Sequence, residues 1–295
     1  MTDRLALALA LGLALPAGVS GSSRGPANSG RTDARSEEVG AFVARVRAAT
    51  EKYLDREAAV ADGYRLIGED FPGMSEHWIH IGLLFDCKYD PERPEFLSYV
   101  TVGGRPRLLG VAYGLPLLPG EAPPDTPAGP DAWHEHSGTI DDETFLPHHH
   151  QSGHGGHGPR LAMLHAWVWL PNPEGVFAAD NWAIPFLRLG LEVPAQGGAS
   201  AGKALALLSG ADSYLLRMVR TAAPASPGRD EEAGLRSVVD RVRGEVASIV
   251  ARRSGAELPP GGIETLERLW KDLWKGIDDV LPAEARGRVQ SLAMR

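Results

Sequence analysis

The sequence predicts an α+β protein: an N-terminal helix, a mostly antiparallel β region that carries a histidine cluster, and a helical C-terminal region. Three observations lead to this prediction. Apolar residues recur at three- and four-residue spacing from Ser36 to about Asp62, short β-like runs separated by turn signals follow, and amphipathic helical patterns return after Gly190. A chain of 295 residues is also long enough to bury a substantial core in one or two domains.

The composition is that of an ordinary globular protein with an acidic balance. Its formal net charge is −8 and its pI is near 5.7, which argues against a general nucleic-acid-binding surface because such a surface needs a basic stripe. Negative charge favours the approach of cations. The only cysteine is Cys87, so an intramolecular disulfide and a multi-cysteine zinc or iron–sulfur site are both excluded.

The N-terminus has the order of segments found in export signals. An uninterrupted apolar run, Leu5 to Leu15, is too short to span a bilayer comfortably, and Pro16 with several small residues follows it. This pattern predicts a signal peptide over residues 1–21, a periplasmic or extracellular location, and no stable membrane insertion after cleavage. A buried N-terminal helix is the alternative, because Asp3 offsets the charge of Arg4. The Gly/Ser/Pro/Asn-rich residues 22–35 predict a disordered linker.

The elements after residue 35 divide into two predicted domains, one over residues 36–195 and a helical one over residues 203–295. Ser36 can cap the first helix and Gly63 is a natural stop. Gly103-Gly104 between two β-like runs predicts a hairpin. The β-like runs are Trp78–Phe85, Phe96–Val102, Leu108–Leu115 and Leu161–Leu170, and the later helical patterns are Ala204–Val219, Glu231–Arg253 and Ile263–Leu281.

The histidines are distributed unevenly. The chain has 10 of them, and eight lie between His134 and His165. Chance would scatter them, so this segment needs a chemical reason. Neutral imidazole is the commonest protein ligand for borderline transition metals, and the segment therefore predicts a metal site.

Two histidine motifs have strand-like spacing. In an extended segment His134 and His136 lie on one face while Glu135 points away, an arrangement that gives a metal two ligands. On the later strand His165 shares a face with Met163, whose thioether would suit copper. Trp167 and Trp169 share that face too. His77 and His80 would point to opposite faces of a strand, and both could face one site if the adjoining turn were helical.

A separate histidine-rich loop lies between these motifs. Its glycine-rich spacing offers little to hold ligands in place, so it is better suited to metal acquisition, or to no role, than to direct ligation. Its histidines are His148, His149, His150, His154 and His157.

Several phrases between roughly residues 40 and 190 resemble a family of exported bacterial proteins of unassigned function. They include Gly73-Met74-Ser75-Glu76-His77-Trp78, Trp133-His134-Glu135-His136, and Leu164-His165-Ala166-Trp167-Val168-Trp169 with Asn172-Pro173-Glu174-Gly175-Val176-Phe177. The resemblance implies a shared constellation of histidines and tryptophans and implies no particular reaction. It matches at His77, His134, His136 and His165, and it does not include the histidine-rich loop.

The candidate metal ligands are therefore His77, His134, His136 and His165. Candidates for the surrounding shell are Glu76, Trp78, His80, Trp133, Glu135, Met163, Trp167 and Asp180. Tryptophans either wall the site and donate indole N–H groups or simply fill the core. Three or four histidine nitrogens without cysteine suit zinc, copper or iron.

Three functions are consistent with this pattern, and no catalytic residue is identified. The first is an exported metal-binding protein for storage, delivery or sensing of copper, zinc or iron, whose expected partners are the metal ion and a small-molecule ligand. The second is a mononuclear metalloenzyme, an oxidoreductase or hydrolase, with Glu76, Glu135 or Asp180 transferring protons. The third is a structural or partner-binding module in which the histidines are incidental.

Overall fold

The computed structural model describes residues 26–118, 120–137, 160–195, 197–222 and 229–289, and it confirms the α+β fold class. The predicted signal peptide at residues 1–21 and the histidine-rich loop at residues 148–157 lie outside these ranges. No helix within them is long and apolar enough to cross a membrane.

The N-terminal helix begins earlier than the sequence predicted. Helix α1 spans Pro26–Thr50, so the linker predicted over residues 22–35 is helical from Pro26 onward. Proline is favourable in the first turn of a helix because its missing N–H would have no partner there. The Arg35 guanidinium donates to the Ala128 carbonyl at 2.7 Å and ties this end of the helix to the rest of the protein. A 3₁₀ turn and α2, Arg56–Ala61, follow.

Six strands form one antiparallel sheet in the order β1-β2-β3-β4-β6-β5. The strands are β1 (Arg65–Phe71), β2 (Ser75–Ile79), β3 (Phe96–Val102), β4 (Arg105–Leu117), β5 (His134–Ser137) and β6 (Arg160–Ala166). The hairpin predicted at Gly103-Gly104 is confirmed, and both glycines have the positive φ that a tight turn between strands requires, 57° and 76°.

The strand predicted over Trp78–Phe85 is wrong beyond Ile79. The chain turns there into the short helix α3, Ile81–Leu84. His80 caps this helix, because its Nδ1 accepts a hydrogen bond from the Leu83 N–H at 3.1 Å. Periodicity alone does not distinguish a short apolar strand from a short helix. Strand β1 was not predicted either, because its charged residues and a bulge interrupt the apolar alternation.

The two faces of the sheet differ in what covers them. Helix α1 packs Phe42 and Val46 against one face, which we call the tyrosine face. That face contributes large buried side chains to the shared core, among them Leu97, Tyr99, Leu108, Val111, Tyr113 and Leu164. The opposite face carries the histidines and is called the histidine face below.

The C-terminal part of the chain is helical, as predicted. Its helices are α4 (Ile184–Arg188), α5 (Ala199–Ala206), α6 (Ala211–Ala222), α7 (Arg229–Ala251), α8 (Gly262–Val280) and α9 (Ala283–Val289). The helix predicted over Ala204–Val219 is two helices, because Gly210 separates α5 and α6 with a φ of 95°. Trp270 and Trp274 are buried in the core of this region, and Phe71 and Trp182 join them there. The boundary predicted between residues 195 and 203 remains a prediction.

Candidate metal centre

The strand register places histidines from distant parts of the sequence on one face of the sheet. Across the sheet, His77 on β2 pairs with Ser98 on β3, which pairs with Gly110 on β4. On β4, Ala112 pairs with His165 of β6. Directly paired residues of antiparallel strands share a face, so small residues separate the two histidines. Their rings can therefore meet above β3 and β4.

Three histidine rings come into contact on this face. The ring centroids of His77 and His165 are 5.6 Å apart, and those of His134 and His165 are 5.2 Å apart. His134 lies on β5 opposite Met163, which is two residues before His165 on β6. We call His77, His134 and His165 the histidine triplet, with His165 as its middle ring.

The triplet lies in an apolar environment. His77 is 5% exposed and His165 is 3% exposed. The rings of Phe71 and Phe96 lie 6.4 and 6.3 Å from the His77 ring. The Trp167 ring lies 5.8 Å from the His165 ring. Of the predicted tryptophan wall, Trp167 is thus placed beside the triplet.

A backbone carbonyl fixes the orientation of His165. Its Nδ1 forms a hydrogen bond with the carbonyl of Ala179. A carbonyl can only accept, so Nδ1 carries the proton and Nε2 of the neutral ring presents its lone pair. The adjacent Ala178 carbonyl accepts from the Trp167 indole N–H at 2.7 Å. The segment after β6 therefore holds both rings in place.

Glu76 and Trp78 lie away from the triplet. They alternate with His77 along β2 and so project from the opposite face. The Glu76 carboxylate accepts hydrogen bonds from the Trp78 indole at 3.2 Å and from the Thr101 hydroxyl at 3.0 Å. These contacts give Glu76 a structural role on the tyrosine face, in place of the predicted role beside a metal.

His80 and Trp133 also lie elsewhere. His80 caps α3 and packs its ring 5.3 Å from that of Tyr64. Trp133 is buried on the tyrosine face, 5.8 Å from the ring of Tyr89. Successive side chains along a strand point to opposite faces of the sheet, so Trp133, the residue before His134, lies on the face opposite His134.

The remaining candidates are placed only in part. Met163 is buried, and its register puts it on the histidine face. Glu135 and His136 lie on β5 with their backbones paired to β6, and their side chains are outside what the structure describes. Burial raises the pKa of the Asp180 carboxyl to about 6, although the positive charge of Lys203 acts in the opposite direction. Asp180 follows the carbonyl that orients His165, and its charged neighbours are Lys203 and Glu174.

The histidine triplet supplies the kind of nitrogen donor that borderline transition metals prefer. Among the described side chains, no group of three or more His, Cys, Asp or Glu residues is arranged so that it could hold a metal ion. The side chain of His136 and the histidine-rich loop lie outside the described part of the chain. Imidazoles from three different strands suit zinc, copper or iron once their nitrogens converge.

Two polar residues on the sheet were not singled out by their sequence. Glu95 is only 2% exposed, and its carboxylate accepts a hydrogen bond from the Gly114 N–H at 3.1 Å. Burial raises the pKa of the Glu95 carboxyl to about 8. Ser75 is fully buried and has a φ of 71°. Glu95 directly precedes the apolar run of β3, and this position was a sign in the sequence that it could be buried. The positive φ of Ser75 has no such sign in the sequence.

Comparison of the chain with protein-family models, with curated proteins and with solved structures gave no match.

Proposed function

We propose that this is an exported protein that binds one transition-metal ion through the histidine triplet, for storage, delivery or sensing of the metal. His136 is the fourth ligand in this proposal. The observation that carries the proposal is that the imidazole rings of His77 and His134, from two separate strands, each contact the ring of His165 on a third strand. Neutral imidazole is the side-chain group that most commonly binds such metals in proteins.

The surroundings of the rings support a ligand role. The two strands between His77 and His165 carry Ser98, Gly110 and Ala112 at the intervening paired positions. Gly110 is required by a different contact, because a Cβ there would lie 2.5 Å from the Ala166 carbonyl oxygen. Ser98 and Ala112 are the small residues paired with His77 and His165, and they leave room for the rings.

The hydrogen bond of His165 supports the same role. Metal-binding histidines usually donate the proton of the second ring nitrogen to a carbonyl or carboxylate, which orients the ring toward the metal. The Ala179 carbonyl accepts such a proton from Nδ1 of His165. The nitrogen proposed to bind the metal is therefore Nε2.

Metal binding requires the triplet to rearrange. In the arrangement described, no three of these side chains could hold an ion, so the proposal needs rotation of the imidazole rings or participation of His136. The nearby Met163 thioether favours copper within the set of copper, zinc and iron.

A structural role is the competing function, and it too has an observation in its favour. The rings of His77 and His165 make edge-to-face contacts with Phe96 and Trp167, which is how aromatic rings pack in a core. In that case the histidines add packing and no ligand chemistry.

Metal content separates the two functions. Protein purified without a histidine tag is equilibrated with copper or zinc, dialysed, and analysed for bound metal. We expect about one ion per chain in the wild type and loss of that ion in His134→Ala and His165→Ala. His134 is the less buried of these two, so His134→Ala is the variant better placed to remain folded.

His80→Asn is the matched control. This histidine belongs to the same sheet region but caps α3, and asparagine can replace it as the cap. The control should retain the metal, and so should a variant in which His148, His149 and His150 are serine. Retention of the ion by a folded His134→Ala protein would overturn the proposal, as would metal that follows the loop variant.

A further inference from the structure

Lys203 on helix α5 lies against the indole ring of Trp182. Its ammonium nitrogen is 5.3 Å from the centroid of that ring. The neighbouring Gly202 allows the helix to approach this closely, because a Cβ at Gly202 would lie 2.2 Å from the Trp182 carbonyl oxygen. Trp182 in turn packs on Gly73, where a Cβ would lie 2.9 Å from the ring. Close packing at the two glycines therefore sets the position of Lys203 relative to the indole.

The charge of Lys203 is only partly compensated. The residue is half-buried, and among the residues that the structure describes its ammonium forms no hydrogen bond or ion pair. Asp180 and Glu174 are the carboxylates that attract it through space. Burial nevertheless lowers the pKa of the Lys203 amine, because the loss of water around the ammonium outweighs this attraction. A larger share of the amine than in an ordinary lysine is therefore neutral and nucleophilic near neutral pH.

Trp182 also lines a small cleft. The cleft has an empty volume of about 200 Å³, part of which is open to solvent, and Pro173, Phe186 and Pro194 give it apolar walls. Glu174 is the only charged residue among the described residues that line it. A carboxylate in the lining disfavours an anionic ligand, and apolar walls favour an uncharged one. The cleft therefore suits a small, uncharged organic molecule.

We propose that the Lys203 amine forms an imine with a small uncharged aldehyde or ketone that occupies the cleft beside Trp182. The amine nitrogen attacks the carbonyl carbon, and a carbon–nitrogen double bond replaces the carbon–oxygen double bond. The two hydrogens of the neutral amine leave with the carbonyl oxygen as water, so no oxidant or reductant is consumed. Proteins use lysines with a desolvated amine for this chemistry. The proposal is independent of the metal site, because it involves none of the three histidines.

Reductive trapping on the full chain tests the proposal, with acetaldehyde as the probe. Cyanoborohydride converts each imine to a stable ethylamine, and mass spectrometry of the peptides gives the initial rate at each lysine. Lys271 is exposed and serves as the internal reference. At about pH 7 we expect Lys203 to react about tenfold faster than Lys271, although it is less exposed. This ratio should fall as the pH rises toward about 10, because ordinary lysines then lose their protons too.

Ala199→Leu distinguishes an aldehyde bound in the cleft from an amine that is merely reactive. Ala199 lines the cleft, and leucine there reduces the space for the aldehyde. Ser200→Leu is the matched control, because Ser200 is the next residue of the same helix and does not line the cleft. Ala199→Leu should slow the reaction of Lys203 about tenfold, and Ser200→Leu should leave it unchanged. A Lys203 rate no higher than that of Lys271 near neutral pH, or equal rates in the two folded variants, would overturn the inference.

Discussion

The two faces of the sheet differ in the polar groups that they bury. On the tyrosine face Tyr64 donates to the Pro94 carbonyl at 2.6 Å and Tyr113 donates to the Pro91 carbonyl at 2.9 Å, whereas the buried hydroxyl of Tyr89 has no hydrogen-bond partner among the described residues. On the histidine face Ser75 combines a strained backbone with a hydroxyl that no described residue satisfies. Proteins keep such locally unfavourable features mainly at functional sites. Under the proposed function, the histidine face, with the strained backbone at Ser75, is the face that serves binding.

The largest expected effect is on the tyrosine face. Phe42 is 2% exposed, and its ring contacts Tyr113 and Phe177. Phe42→Ala removes this packing and should lower the free energy of unfolding by about 3–5 kcal/mol in urea denaturation. The folded variant should bind metal as the wild type does. Loss of metal affinity in the folded variant would contradict the proposal that metal binding belongs to the histidine face and not to the tyrosine face.

A smaller effect is expected from the buried carboxyl of Glu95. Its pKa is about 8 in the folded protein, above the ordinary value of 4.5, so the folded state retains a proton that the unfolded chain has lost between these values. Stability should therefore fall as pH rises through this window, by about 2 kcal/mol between about pH 6.5 and 9. The second buried carboxyl, that of Asp180, has a pKa of about 6, below this pH range. Its titration therefore contributes little to the change in stability over the range.

Glu95→Gln is the control for this pH dependence, because its amide oxygen can still accept from Gly114. Denaturation of the two proteins across the same pH range should give a wild-type curve that falls and a variant curve that is flatter by about 2 kcal/mol. Parallel curves would mean that Glu95 titrates at its ordinary pKa.

The smallest effect on stability is expected at the centre of the histidine face. Ala112 is fully buried and pairs with His165. Ala112→Val adds volume there and should lower the free energy of unfolding by only about 1 kcal/mol. Metal affinity should fall about tenfold, because the extra methyl groups displace the imidazoles. A stability loss without a change in metal affinity would show that the small residues serve packing and not the rings.

Local sequence signals were sufficient for some elements. The β3–β4 hairpin was predictable because Gly103-Gly104 supplies the two positive φ values that the turn needs. The amphipathic pattern of Ile263–Leu281 likewise predicted α8 to within one residue at each end. Where the local signal was mixed, as in the apolar run that becomes α3, the cap provided by His80 decided the structure.

The candidate site was predictable in its residues and not in its arrangement. The two histidine motifs named His134 and His165, and the resemblance added His77. Their contact depends on strand order and on small residues of β3 and β4, which are long-range features that no local pattern reveals. The same holds for the position of Glu76: it alternates with His77 along β2, so the structure places its side chain on the face opposite the histidine triplet.

The most direct test of the account is the ligand set of the bound metal. X-ray absorption spectroscopy of the zinc-loaded protein should show a coordination shell dominated by imidazole nitrogen at about 2.0–2.1 Å. His134→Ala should lower the imidazole count by about one, and His80→Asn should leave the spectrum unchanged. An identical shell in the wild type and in folded His134→Ala, or a shell without imidazole, would contradict metal binding by the histidine triplet.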